Sequence, residues 1–173
     1  MDELDICPIP PRPGPELFIQ RLKAQEEHAF TIYSEALFGI NVHFVGNRSQ
    51  PHYRNPDNCP GCKAKNVKRW KGFLHCWNHN LGQEVFLELT PASALSLHSQ
   101  LGGVGPLRGN RISVKRTKKD NGRLVISVLT AARDAGKLPP SKDPLESLVR
   151  LWGLADVNDH EIVADLVARR QFE

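Results

Sequence analysis

Apolar positions recur with a period of two in several short stretches of the chain and at helical spacing in others. Ile40, Val42 and Phe44 alternate with Asn41, His43 and Val45, which predicts a strand over about 40–46. VKRWKGFLHCW (67–77) and QEVFLELT (83–90) predict two further strands that pair, because NHNLG between them has the Asn and Gly of a tight connection. GNRISVKRTK sets Ile112 and Val114 against Arg111, Ser113 and Lys115, and GRLVISVLT follows the turn sequence Lys119-Asp120-Asn121-Gly122, giving a second hairpin. Thr90-Pro91 reads as the cap and first residue of a helix that runs through PASALSLHSQL to Gly102-Gly103. Residues 16–30 place Leu17, Phe18, Leu22 and Phe30 among good helix formers behind Pro15 and predict a short amphipathic helix. Near the C-terminus, Leu145, Leu148, Val149, Leu151 and Trp152 form one apolar stripe and Ile162, Val163, Leu166 and Val167 another, each behind a capping Asp or Asn.

These elements define a mainly β chain with some α (α+β): a small five-stranded barrel or sheet carrying an ordered loop, followed by two helices. Four segments are expected. Residues 1–15 are a flexible, proline-rich arm, 16–130 the main domain, 131–143 a linker with Pro, Gly and no apolar period, and 144–171 a helical hairpin. No window holds the eighteen or so uncharged apolar residues of a membrane span, and the N-terminus is acidic and proline-rich where a signal peptide is basic and then apolar. A cytoplasmic protein is expected.

Charge separates the chain more sharply than hydropathy does. The net charge is +4, but residues 48–123 carry 14 basic and 4 acidic side chains, whereas residues 1–47 carry 3 and 7 and residues 131–173 carry 6 and 8. A basic centre between acidic ends concentrates polyanions near that centre.

The four cysteines are too few and too unevenly placed for a disulfide framework, which fits a reducing compartment. Three of them lie in a metal-like pattern: Cys59-Pro-Gly-Cys62, thirteen residues, then Cys76-Trp-Asn-His79. Two-residue gaps let a tight knuckle aim both side chains at one point, and thiolate and imidazole are the ligands that tetrahedral zinc prefers. Cys59, Cys62, Cys76 and His79 are therefore the expected ligands of a structural Zn2+, with His75 and His52 near enough in sequence to stand in for His79, and His43 a further alternative. A loop of this Pro- and Gly-rich composition, from Gly46 to Lys65, needs such a cross-link to be ordered. CPGCKAK and HCWNHNLG, with a basic aromatic stretch between them, resemble the two knuckles of a zinc ribbon, as found in primases, transcription factors and ribosomal proteins, with the last cysteine replaced by histidine. The resemblance covers roughly 57–82 and implies a structural metal in a nucleic-acid-binding setting.

Cations and rings alternate next to the motif. Lys63, Lys65, Lys68, Arg69 and Lys71 surround Trp70, and Phe73 and Trp77 follow, the combination by which proteins track phosphates and stack bases of single strands. A second basic set, Arg108, Arg111, Lys115, Arg116, Lys118, Lys119 and Arg123, belongs to the second hairpin. Strand, hairpin, helix, hairpin is also the element order of an OB-fold, which binds oligonucleotides across its barrel. The expectation is a non-catalytic accessory protein that binds single-stranded DNA or RNA, in a setting such as replication, recombination, mobile elements or phage biology. Two other classes compete with it. In a small zinc-dependent nuclease, His75, Asn78 and His79 would flank a catalytic metal, although the basic centre has only Asp57, Glu84, Glu88 and Asp120 as carboxylates and none forms a recognisable pair. In an interaction adaptor, the helices of 144–171 would recruit a protein partner.

Overall fold

The computed structural model describes residues 17–53, 55–102, 106–118, 122–130 and 135–153. The expected arm 1–15, Lys119 and the second C-terminal helix lie outside them. Among the described residues the strands are β1 (Ile19–Gln20), β2 (Glu27–Ile32), β3 (Phe38–Val45), β4 (Arg48–Pro51), β5 (Arg69–Asn78), β6 (Gln83–Leu89), β7 (Arg111–Arg116) and β8 (Leu124–Thr130). The helices are α1 (Pro60–Lys63), α2 (Pro91–Gln100) and α3 (Pro144–Leu151). All eight strands belong to one open sheet of order β1-β6-β5-β2-β7-β8, with the β3–β4 hairpin branching from β5.

β5 organises this sheet. It pairs with β6 from Gly72 to Asn78, with β3 through Arg69 to Phe73, and with β2 through Cys76 to Asn78. Both of its faces are covered, which accounts for the nearly continuous burial from Gly72 to Cys76. One core gathers Phe30, Ile32, Leu74, Cys76, Leu87 and Ile112 under α2, whose Leu97 packs into it. The second core sets Phe73 and Phe86 with Ile40 and Val42 against Leu145, Leu148 and Trp152 of the α3 segment. The rings of Phe73 and Trp152 meet edge-on at 5.9 Å. Each large side chain so buried contributes about 1.5–3 kcal/mol.

Both expected hairpins form, β5–β6 and β7–β8, and α2 starts at the expected cap: Thr90 Oγ1 accepts from the Ser93 amide at 3.3 Å and Ser93 Oγ accepts from the Thr90 amide at 2.9 Å. α3 is capped by Asp143, which accepts from the amides of Leu145 and Glu146.

The described part of 16–30, from Leu17 onward, does not form the expected helix. It supplies β1, a turn in which Gln25 takes φ +66°, and the start of β2. β2 lies between β5 and β7, so its amides and carbonyls find ladder partners on both sides, and Phe30 and Ile32 enter the core with Thr31 between them. Tertiary pairing of this kind overrides a modest helix propensity. The additional strands also mean that the sheet does not follow the five-strand order of an OB barrel, and it does not close.

The described part of the expected linker is held against the sheet. Arg108 donates to the carbonyls of Leu138 and Pro139, both at 2.8 Å, and the Lys142 amide donates to His75 Nδ1 at 3.0 Å. None of the described helices is long and apolar enough to cross a membrane.

Candidate metal centre

The β3–β4 hairpin turns through Gly46 and Asn47, with φ of +56° and +65°, the left-handed pair that a two-residue type I′ turn requires. That turn sets the register so that His43 opposes Gln50. His52, two residues beyond Gln50, therefore falls on the same face, diagonal to His43, and its amide extends the pairing by donating to the Asn41 carbonyl at 2.8 Å. The chain then reaches Cys59 and α1, a single turn begun by Pro60 in which the Lys63 amide bonds the Cys59 carbonyl at 3.0 Å and the Ala64 amide bonds the Pro60 carbonyl. This is a knuckle, and it brings Cys59 and Cys62 over the two histidines.

The four side chains form one group: the ligand atoms of His43, His52, Cys59 and Cys62 all lie within 4.8 Å of one another. Cys62 Sγ is 3.5 Å from both His43 Nε2 and His52 Nδ1, Cys59 Sγ is 3.7 Å from His52 Nδ1, and the two ring nitrogens are 2.9 Å apart. A tetrahedral ion with bonds of about 2.0–2.1 Å to nitrogen and about 2.3 Å to sulfur has ligand-to-ligand edges of roughly 3.3–3.8 Å. The sulfur–nitrogen spacings fit such a site, and the nitrogen pair is slightly closer than it. The group can hold a metal ion through four protein ligands.

Surrounding groups aim these ligands. His43 Nδ1 lies 2.9 Å from the Asn66 carbonyl, so it carries the proton and leaves the Nε2 lone pair directed at the cysteines. Asn66 also donates from its side chain to the Phe44 carbonyl at 2.8 Å, tying the end of the knuckle to β3. Lys65, at φ +56°, makes the reversal between them. Gly61 is required by close approach: a Cβ there would lie 2.1 Å from His43 Cγ. Burial acts to raise the Cys59 thiol, but backbone amides of Tyr53, Cys62 and Gly61 hydrogen-bond the sulfur and hold its pKa below the ordinary value. The neighbouring Cys62 is raised by desolvation and by Cys59. A cation between the two sulfurs would relieve that repulsion.

Two of the four expected ligands are thus brought together, and two are not. Cys76 is fully buried in the first core, opposite Ile32 on one side and Val85 on the other, and desolvation drives its thiol far above the ordinary range. His79 stands exposed at the β5–β6 turn with Nε2 2.8 Å from Thr31 Oγ1. The positions of the second expected pair follow from strand β5, whose alternation sends Cys76 inward. The group that could hold a metal is built from one knuckle and one hairpin rather than from two knuckles of a ribbon. The other residues weighed for a metal are also engaged elsewhere: His75 Nε2 meets Glu84 at 3.2 Å, and Asn78 accepts from the amides of Asn80 and Leu81.

The expected nucleic-acid residues divide in the same way. Lys65, Lys68 and Arg69 are exposed beside the knuckle, as are Arg111, Lys115 and Lys118 on the second hairpin. Phe73 is fully buried, so its ring is not available for stacking. Trp70 is half-buried with its indole laid over the paired glycines Gly39 and Gly72, where a Cβ would approach it to 2.6 and 2.8 Å. Trp77 is half-buried, and Lys71 pairs with Glu88 at 2.8 Å. Arg108 is a clamp, bonded to the Tyr33 carbonyl at 2.6 Å and to Glu35 at 3.2 Å as well as to the linker carbonyls. Arg116 donates to the carbonyls of Leu22 and Gly122.

Comparison with protein-family models, with curated proteins and with solved structures finds no match to this chain.

Proposed function

We propose that the chain is a non-catalytic accessory protein that binds single-stranded DNA or RNA, and that Zn2+ at His43, His52, Cys59 and Cys62 serves it as a structural ion. A two-thiolate, two-imidazole set is the donor chemistry of structural zinc, and four protein ligands leave no open coordination position for substrate or water. The ion would cross-link the hairpin to a knuckle that has little apolar surface of its own.

One observation carries the nucleic-acid reading. Lys63, Lys65, Lys68 and Arg69 stand exposed in one short run, held by the knuckle at one end and by β5 at the other, and none has an ion pair among the described residues. Unneutralised cations on a fixed backbone favour a polyanion, since phosphates release their counterions on contact.

The test is metal analysis of the purified protein together with titration of labelled single-stranded and duplex oligonucleotides at two salt concentrations. A single equivalent of zinc is expected, with tighter binding to single strands and a steep loss of affinity with salt. Protein that contains no zinc and binds no oligonucleotide at either salt would refute the proposal.

A further inference from the structure

A cleft of about 700 Å3 opens beside the metal centre between β3, β5 and the strand-to-turn segment around Arg21. Its walls carry five cations, Arg21, Lys23, Arg69, Lys71 and Arg116, against the single carboxylate of Glu88. Glu88 is almost wholly buried and is already shared: Arg21 donates to it through Nε and Nη2 at 3.1 and 3.0 Å, and Lys71 pairs with its other oxygen at 2.8 Å. Lys23 and Arg69 have no ion pair among the described residues. Phe44 lines the same cleft with 53% of its surface exposed, and the Arg21 guanidinium lies 5.9 Å from its ring centroid. An apolar ring of that size is costly to leave in water, and this one is flanked by cations rather than covered by apolar neighbours.

We infer that this cleft is where a single strand binds: a base stacks on Phe44 while Lys23 and Arg69 hold the adjoining phosphates. The inference rests on the nucleic-acid reading above and names its site. The alternation of β3 supports it, because His43 points to the metal group while its neighbours Val42 and Phe44 line the cleft. Asn66 joins the two, since its carbonyl receives the His43 proton and its side-chain amide bonds the Phe44 carbonyl. Glu88 keeps Arg21 in place under the ring, so the floor of the cleft is fixed before anything enters. The volume suits a small number of stacked bases rather than a duplex.

The experiment is a titration of labelled oligo-dT, oligo-rU and a duplex with the full chain and with four variants: Phe44→Ala, Phe44→Tyr, Arg69→Gln and, as a control on the second hairpin, Lys115→Gln. Phe44 and Arg69 are exposed, and equal zinc content and melting temperature check that each variant is folded. Phe44→Ala is expected to weaken single-strand binding roughly 5- to 150-fold, the range of one lost stack, while Phe44→Tyr restores it. Arg69→Gln is expected to lower the salt slope by about 0.7, the value of one phosphate contact on a single strand, and Lys115→Gln to change little. The dT and rU arms show which polymer the cleft prefers, and either preference supports the site. If the unaltered chain binds single strands and Phe44→Ala and Arg69→Gln bind them equally well, the cleft is not the site although the functional reading stands. A loss confined to Lys115→Gln moves the site to the second hairpin, and no binding by the unaltered chain overturns both inferences.

Discussion

Cys59 and Cys76 are both fully buried, yet they stand in opposite chemical surroundings. Cys59 sits at the head of a one-turn helix with backbone amides aimed at its sulfur and a second thiol and two imidazoles within reach. Cys76 sits in a strand between Ile32 and Val85 with apolar neighbours on every side, and its thiol is held in the neutral form. Burial alone therefore says little about what a cysteine does. The polar groups that turn toward the sulfur decide whether it serves as a ligand or as a small apolar filler.

The largest contrast to be expected comes from removing each thiol in turn. Cys59→Ala and Cys62→Ala are expected to abolish metal retention and to loosen residues 46–66, a loss of several kcal/mol in a segment ordered by its cross-link. Cys76→Ala should leave metal content unchanged and lower stability by about 1–2 kcal/mol, the effect of a small core cavity. Metal analysis and urea unfolding of the three proteins check this; zinc lost from the Cys76 variant alone would reverse the assignment. Next in size is Gly61→Ala. The added methyl must displace the His43 ring, and metal affinity measured by competition with a chelator should fall about 10- to 100-fold. Unchanged affinity would mean that the ring does not have to lie where it does.

The smallest effect concerns a buried histidine outside the metal group. His75 has its pKa lowered, chiefly by desolvation and against the pull of Glu84, and its neutral ring accepts the Lys142 amide. A group whose folded pKa is depressed stabilises the fold at high pH. As pH falls below the ordinary 6.5, the unfolded chain takes up the proton first, and stability declines by up to about 1.4 kcal/mol per pH unit until the folded value is passed. Urea unfolding between pH 7.5 and 5 should show this decline and His75→Gln should flatten it; identical profiles would show that the ring does not control the docking of 138–152.

How much of this was legible in the sequence differs between the same two regions. The hairpins β5–β6 and β7–β8 and helix α2 could be read because alternation, turn residues and a cap are local signals. Cys59 and Cys62 could be read because one knuckle is also local. His43 and His52 have no motif spacing, and strand pairing across the Gly46-Asn47 turn is what brings them into register. Cys76 and His79 had the better spacing, but a two-residue interval on a strand does not converge as it does in a knuckle. The start of β2 was hidden by its polar residues Glu27 and His28, so that Phe30 read as the last apolar position of a helix. Only the neighbours β5 and β7 make that segment a strand.

β5 changes partner midway on one side, from β3 through Phe73 to β2 from Cys76, and at the junction the His75 carbonyl is shared by the amides of Tyr33 and Ser34. A sheet built this way has a fault line. The β3–β4 flap can peel from β5 without disturbing the Cys76 half, so its amides should exchange with deuterium as a separate and earlier block, and added metal that binds the His43–Cys62 group should slow that exchange.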